Sequence, residues 1–598
     1  MEGADDAAAT SIQAAWRGKC ARMEANEGGA LWGKSSAAAE IDWPQYRKVL
    51  LAGCIGNVLE WYDFALYGAF APVFARIFFA PCKMDTPETC ELGWDASHCT
   101  VNEDHLASTV LPPAGPLTGG ISECCQWAAG DGGASSWADG GMSCSYSPIE
   151  KGALLKSFAT FGAAFIMRPL GGVIMGMIGD QYGRKKALQI SIGLMLIPSL
   201  GLAALPSYDS IGMAAPIVLL LIRLIQGAAA GGELVGSILF IVESAPEDKR
   251  GLLGAFCFTF AIIGTMMGTL AASIVSSVLS ESEAEDYGWR LAFLFGFLLG
   301  ISGLWLRKGL EESEEFLAAQ KEREESPDET IHVNPLTEAL TKYPKQVGFV
   351  VAVCSIWCCG FYTCFIWIGT LYGIMDDPES HGHHEAQMCE GQTSTEDATI
   401  SKFVTPFEQM VLVVLFPALG HASDQLRNAP DRRLRVMLCG TIGLALTAGP
   451  LYALIQDSPT TVTAMFVQTI WAVCMASIGG PMSAWFVEFF PPLVRYSAVG
   501  IGYNLSQAIF GGTAPLIATA LISCHCCADS LAPMYWVSFV CLVSAVGIMG
   551  ARSQTLRDAR QQVDASGGGS KGKDSTETEM DNPLQQEYIV GDGDVQET

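Results

Sequence analysis

The chain has 598 residues, of which 50% are hydrophobic and 16% charged, and its formal net charge is −27. A soluble protein of average make-up carries roughly 25% charged residues, and the apolar residues here gather in blocks of the length, about 20 residues, that crosses a bilayer; a string of water-soluble domains is excluded. The acidic balance excludes a nucleic-acid partner, which would need a basic surface. Much of it lies outside the apolar blocks, notably in the tail from Gln561, where nine acids stand against two lysines and a solvated, disordered segment is expected.

In chain order, the opening residues Met1 to Asp6 carry early acids and no apolar core, unlike a secretory or mitochondrial leader, so the first membrane helix is expected to act as targeting signal. Ile12, Gln13, Trp16, Arg17, Gly18 and Arg22 then follow the spacing Ile-Gln-x-x-x-Arg-Gly-x-x-x-Arg. This short basic amphipathic stretch resembles the IQ motif, which implies calmodulin as a partner: Ile12 and Trp16 would enter a hydrophobic groove and the arginines would meet acids. Contact with anionic lipid heads is the competing reading.

Apolar segments follow at 48–80, 152–178, 186–206, 214–242, 252–278 and 290–306, then at 347–374, 403–422, 436–455, 462–487, 497–522 and 533–551, twelve spans in all. Basic residues cluster in alternate connections: Arg184 to Lys186, Lys249 with Arg250, Arg307 with Lys308, Arg427 with Arg432, Arg433 and Arg435, and Arg495. The positive-inside rule makes those connections and both termini cytosolic, in what is expected to be the plasma membrane. Between 77 and 150 the only basic residue is Lys83, and 374–400 has none. Ten of the 20 cysteines fall on that outer side, at 82, 90, 99, 124, 125, 144, 389, 524, 526 and 527. An oxidising exterior would allow disulfides there, in pairings the sequence leaves open. His381, His383, His384 and Cys389 have the residue types of a zinc site, but a solvated acidic loop is the ordinary reading, and neither metal nor cofactor is expected.

The expected organisation is a tail 1–46, a first six-helix half 47–307 with a long outer loop 80–151, a central loop 308–345, a second half 346–552 and a tail 553–598. The halves repeat one another. Glu243-x-x-Pro246-x-x-x-Arg250 and Glu488-x-x-Pro491-x-x-x-Arg495 share their spacing, and an Asp-Gln pair, Asp180-Gln181 or Asp424-Gln425, precedes each by nearly the same distance. A duplicated six-helix unit puts the binding site between the halves near the bilayer midplane.

The run from Gly176 through Asp180, Gly183 and Arg184 to Lys186 resembles the signature between the second and third helices of the major facilitator superfamily. Gly56-Asn57 with Glu60-Trp61-Tyr62-Asp63-Phe64, Arg168-Pro169-Leu170-Gly171-Gly172, Arg223 with Gln226-Gly227, Gly231-Gly232-Glu233 and Trp289-Arg290 are similar, in order, to the metabolite:proton symporter family. The resemblance covers about residues 45–550. It implies an all-α polytopic membrane protein of twelve transmembrane helices in two pseudo-symmetric six-helix bundles. It also implies symport of a small carboxylate-bearing metabolite, an organic acid or a zwitterion such as proline or betaine, with protons. Two departures leave the gating open: Glu312-Ser313-Glu314-Glu315-Phe316 lacks the family's usual proline, and Gly420 to Asp424 lacks a following Gly-Arg.

A charge near the bilayer centre costs several kcal/mol, so an ionisable residue there is a functional candidate by default. Glu60 lies twelve residues past Lys48 and Arg168 twelve before Asp180, which at about 1.5 Å per residue sets both at one depth. Asn57, Glu60, Asp63 and Tyr67 recur at helical spacing as one polar stripe. Arg168 keeps its charge and its fork fits a carboxylate, whether a substrate's or that of Glu60 or Asp63. The expectation is that Arg168 engages substrate, Asp63 or Glu60 carries the proton, and Arg223 and Glu233 complete the network; fixed salt bridges are the alternative. Asp180, Arg184, Glu243 and Arg250, with Asp424, Glu488 and Arg495, are expected to latch the cytosolic gate, as the resemblance implies. Trp357, Tyr362 and Trp367 are expected to pack in the core or against lipid, with lining the cavity or stacking on a cationic substrate group as the alternative. No nucleotide-binding Gly-Lys-Ser/Thr loop is present, against an ATP-driven pump. Besides symport, an uncoupled facilitator or sugar-type carrier and a transporter-like receptor stay open.

Overall fold

A computed structural model describes residues 43–79, 148–325, 334–369, 400–426, 429–523 and 531–567. The IQ-type segment 12–22, the cysteines of the long outer loop, the 381–389 group, and Cys524, Cys526 and Cys527 lie outside the described residues, so the expected disulfides involve only cysteines outside them. Residues 40–553 form one compact unit.

Among the described residues the chain is helical and has no strand. The first half comprises α1 (Trp43–Ala69), α2 (Pro148–Tyr182), α3 (Arg184–Ala204), α4 (Ala214–Glu243), α5 (Arg250–Val278) and α6 (Trp289–Lys308). Two short helices, Glu314–Glu325 and Pro335–Lys342, lead to the second half. There α7 (Pro344–Phe361) continues as a π-helical turn, Tyr362–Trp367, followed by α8 (Ile400–Gln425), α9 (Arg432–Asp457) and α10 (Thr461–Phe489). The last two are α11 (Pro492–Ser506) and α12 (Ala532–Gly567). Among the described residues, eleven helices are long and apolar enough to cross a membrane. The twelfth span is α11, which the sequence leaves whole and the structure breaks: a π turn at Gln507–Gly511 interrupts it before it resumes as Ala514–Ser523. The expected 48–80 segment divides as well. Pro72 has no N–H to donate, so after Ala69 the helix restarts as Ala71–Phe78 with proline in its first turn.

Burial sorts each helix into two faces. Ile166, Trp305, Leu446 and Val462 are each at least 71% exposed, a cost water would impose and lipid removes. Inward faces meet through small residues: a Cβ on Gly227 or Gly231 would strike the backbone of α2 at Ala164 or Arg168, and one on Gly264 or Gly268 the backbone of α1 at Val58 or Tyr62. This close approach is the packing that small residues four apart permit. The halves meet along two related seams, α2 against α11 and α5 against α8.

Candidate functional site

The stripe on α1 is fully buried, but its members face different partners. Asn57 donates through Nδ2 to Ser237 Oγ at 2.9 Å and to the carbonyl of Cys257 at 3.3 Å, tying α1 to α4 and α5. Glu60 is ion-paired with Arg168 of α2. Asp63 accepts from Ser199 and, at 3.3 Å, from Gln226, whose own oxygen accepts from Arg223. Tyr67 donates to the carbonyl of Ser157 at 3.2 Å while the Arg223 guanidinium lies 3.9 Å from its ring centre.

Two arginines flank one aromatic ring: Arg168 and Arg223 each lie 5.2 Å from the centre of Phe64. A cation held over a ring face offsets part of the cost of burying it. Arg168 also lies 5.3 Å from Phe165, which meets Tyr362 of the second half edge-on at 5.5 Å. Trp61 meets Phe361 at 5.5 Å. The Glu60–Arg168 pair therefore sits at the aromatic boundary between the halves. It is incompletely satisfied: Arg168 Nε and Nη1 and Glu60 Oε2 are buried without a hydrogen-bond partner. Among the expected aromatic lining, Trp357 packs against Phe258 and Phe416, and Trp367 donates to Thr519 at 3.1 Å; both are core residues.

Glu233, expected with Arg223 to complete the network, has its own partner. Its carboxylate pairs with Arg307 of α6 and accepts from Ser191 at 2.7 Å. Arg307 spends its remaining donors on the carbonyls of Ala52, Gly53 and Leu188 at 3.0, 2.9 and 2.6 Å. Gly56 makes the room, since a Cβ there would strike the Glu233 carboxylate. This pair is saturated and joins α1, α3, α4 and α6.

At the basic end of the helices the expected residues assemble into a belt. Arg184 donates to Asp180 at 3.1 Å and bidentately to Glu243 at 3.1 Å per bond. Glu243 also accepts from Arg495 of the other half at 2.8 Å. Glu488 pairs with Arg433 at 3.1 Å, and Arg250 with Glu315 at 3.1 Å. The two aspartates cross between halves: Asp180 accepts from the N–H groups of Tyr496 and Ser497 at 3.1 and 2.8 Å, Asp424 from those of Gly251 and Leu252 at 2.9 and 2.8 Å. The latter is a carboxylate at the N-terminus of α5, a favourable dipole placement.

The segment after α6 supplies partners that sequence reasoning passed over. Glu312 accepts from the backbone N–H groups of Arg184 and Lys185 at 3.0 and 3.1 Å, beside Gly183, whose φ of 100° and crowded Cβ position both require glycine. Burial pushes the Glu312 carboxyl above its ordinary value, against the lowering effect of those N–H donors. Ser313 donates to Glu243 at 2.8 Å, and Phe316 lies 4.8 Å under the Arg184 guanidinium. Where this chain lacks the family's proline, its acids bind the belt. A further buried carboxylate, Glu408 of α8, was also missed.

A family described as "Sugar (and other) transporter" matches residues 49–346. A putative proline/betaine transporter of Staphylococcus aureus (strain COL) is 31% identical over 455 residues, covering 73% of this chain and 90% of that protein. The proline/betaine transporter of Escherichia coli (strain K12) is 26% identical over 514 residues, covering 85% and 83%. Among solved structures, the major facilitator superfamily proton:xylose symporter XylE with 6-bromo-6-deoxy-D-glucose aligns with a TM-score of 0.55 at 14% identity, covering 85% of this chain and 95% of that one. The human organic anion transporter MFSD10 aligns with a TM-score of 0.50 at 15% identity, covering 84% and 100%.

Proposed function

The chain belongs to the sugar (and other) transporter family of the major facilitator superfamily, and we propose that it is a proton-coupled symporter of a small carboxylate-bearing metabolite, working by alternating access. The observation that carries this reading is the half-used guanidinium of Arg168: Nε and Nη1 are buried at the boundary between the halves with no partner, and either bidentate fork for a carboxylate opens once Nη2, which Glu60 holds, is released. A substrate carboxylate arriving there competes with Glu60 for the same cation. As Glu60 loses its share of Arg168 it takes up a proton, so one anion and one proton enter together without adding net buried charge. Asp63, held by Ser199 and through Gln226 by Arg223, is the other candidate carrier. The relatives named as proline/betaine transporters make a zwitterion or an organic acid the substrate class to try first.

In this reading the Arg184–Glu243–Arg495 belt is the closed latch of the basic face, which we assign to the cytosol of a plasma-membrane protein with both termini inside. Binding must repay the ion pairs broken on opening. The test is uptake of labelled proline, betaine and simple organic acids in oocytes under voltage clamp. Uptake rising as external pH falls supports symport, with inward current for a zwitterion and none for a monocarboxylate; pH-insensitive flux points to a facilitator, and no flux to a receptor. Full proton-driven uptake by Arg168→Ala would sink the site assignment. Residues 12–22 carry calmodulin as proposed partner; a pull-down should lose calmodulin on Ile12→Asp with Gln13→Ala.

A further inference from the structure

We infer that Glu408 of α8, together with Gln468 of α10, is a second proton-carrying site, in the opposite half from the Glu60–Arg168 pair. Glu408 is 3% exposed and sits sixteen residues before Asp424, roughly 24 Å along the helix and inside the hydrocarbon core. Val404 and Leu412, one turn to either side, are 0% and 1% exposed, so this face of α8 looks into protein. Among the described residues the Glu408 carboxyl has neither an ion pair nor a hydrogen bond. A bare carboxylate there would cost several kcal/mol, so its charge is neutralised from outside the chain.

The surroundings say by what. The parallel helices α8 and α10 are in register sixty residues apart, since a Cβ on Gly480 would meet Gly420 and Phe416. That register sets Gln468 level with Glu408. Gln468 donates through Nε2 to the Cys364 carbonyl at 3.0 Å, which leaves Oε1 buried without a partner. Cys364, in the π turn that continues α7, is the ionisable group within electrostatic reach of Glu408. The charged residues of the helices around it fall at helix ends: Arg250, Lys345, Asp424, the Arg432 to Arg435 cluster and Glu488 at the basic face, Lys402 of α8 itself and Asp457 at the other. The internal repeat sharpens the point. Gln468 precedes Glu488 by the same twenty residues by which Arg223 precedes Glu243. Where the first half supplies a fixed arginine beside Asp63, the second supplies a neutral amide with a spare acceptor. Two acceptors and no fixed cation describe a seat for a hydrogen on oxygen. They are too few for a hard metal ion, which takes six or more oxygens, and no cluster of metal-ligating side chains occurs among the described residues.

The site carries its proton as a carboxylic acid on Glu408, at the level of the spare Gln468 acceptor, and releases it when the second half reorients and wets the position. The inference leans on the transport reading only in treating that proton as cargo. Infrared pH titration of the full chain in lipid nanodiscs, over about pH 5 to pH 9, tests it without any substrate. Expected is a carboxylic-acid C=O band that titrates in the wild type, disappears in Glu408→Gln, shifts in Glu408→Asp and Gln468→Leu, and persists in Glu60→Gln. A Glu408 band constant across the range, or a titrating signal unchanged in Glu408→Gln, overturns the site. Proline-driven proton influx into proteoliposomes is read separately: its absence alongside a titrating Glu408 band would refute coupled symport and leave the site standing.

Discussion

Two ion pairs lie buried in the same six-helix half, both between a glutamate and an arginine with almost no exposed surface, and they are built differently. Around Glu233–Arg307 the guanidinium nitrogens bond to three backbone carbonyls and the carboxylate, which also accepts from Ser191. Around Glu60–Arg168, two guanidinium nitrogens and one carboxylate oxygen have no partner. Burying a charge is repaid only when its hydrogen-bonding capacity is met. The first pair repays its burial within the fold; the second does so only when something else arrives. Satisfaction, rather than burial or charge, separates the pair that holds helices together from the pair that can exchange partners.

The comparison breaks most readily at the saturated pair. Arg307→Ala or Glu233→Ala leaves an uncompensated buried charge and should cost about 3–5 kcal/mol, abolishing a monodisperse folded peak in fluorescence-detected size exclusion. The double replacement Glu233→Leu with Arg307→Met should restore that peak and, if the pair only fastens helices, uptake with it. A double variant that folds yet does not transport would show the two pairs to be alike. Next in size, Arg168→Lys keeps the charge but loses the fork. Its melting temperature should stay within a few degrees, while uptake falls roughly 10–100-fold, the worth of one charge-assisted bond of about 1.5–3 kcal/mol. An equal loss in stability would make this pair structural too. Smallest is Asp424→Asn, which keeps an acceptor for the α5 N-terminus and leaves Arg433, its ion-pair partner at 2.6 Å, still paired with Glu488, so the contact weakens by about 1 kcal/mol and the open fraction of the basic face should rise roughly fivefold. Spin-label distances between the basic ends of α5 and α8 would report it.

Much of this was legible in the sequence because lipid writes in long blocks: twelve apolar spans and a duplicated Asp and Glu-x-x-Pro-x-x-x-Arg pattern follow from the bilayer and the repeat. The common depth of Glu60 and Arg168 was readable from helical rise alone, and the two side chains meet. Direction was not. Arg307 and Arg433 sit where the positive-inside rule already explains a basic residue, so nothing marked them as turned inward. Glu233 was expected only to complete the network with Arg223, and its partner was not named; the glycines at 53 and 56 open a path to Arg307 that only packing reveals. Glu408 was hidden by its setting, a helix whose first turns already carry polar residues. Glu315 was read as a departure from a motif, and its two arginine partners appear only once the halves are docked.

The crossed aspartates have a consequence for how the basic face opens. Asp180 belongs to one half and accepts from backbone of the other, and Asp424 does the same in reverse. Each half thus holds a clasp fastened to its neighbour, and the two clasps stand on opposite seams. Releasing one alone leaves the other as a pivot, so a lesion at a single aspartate should produce a lopsided swing, whereas the intact molecule must part along both seams in the same stroke.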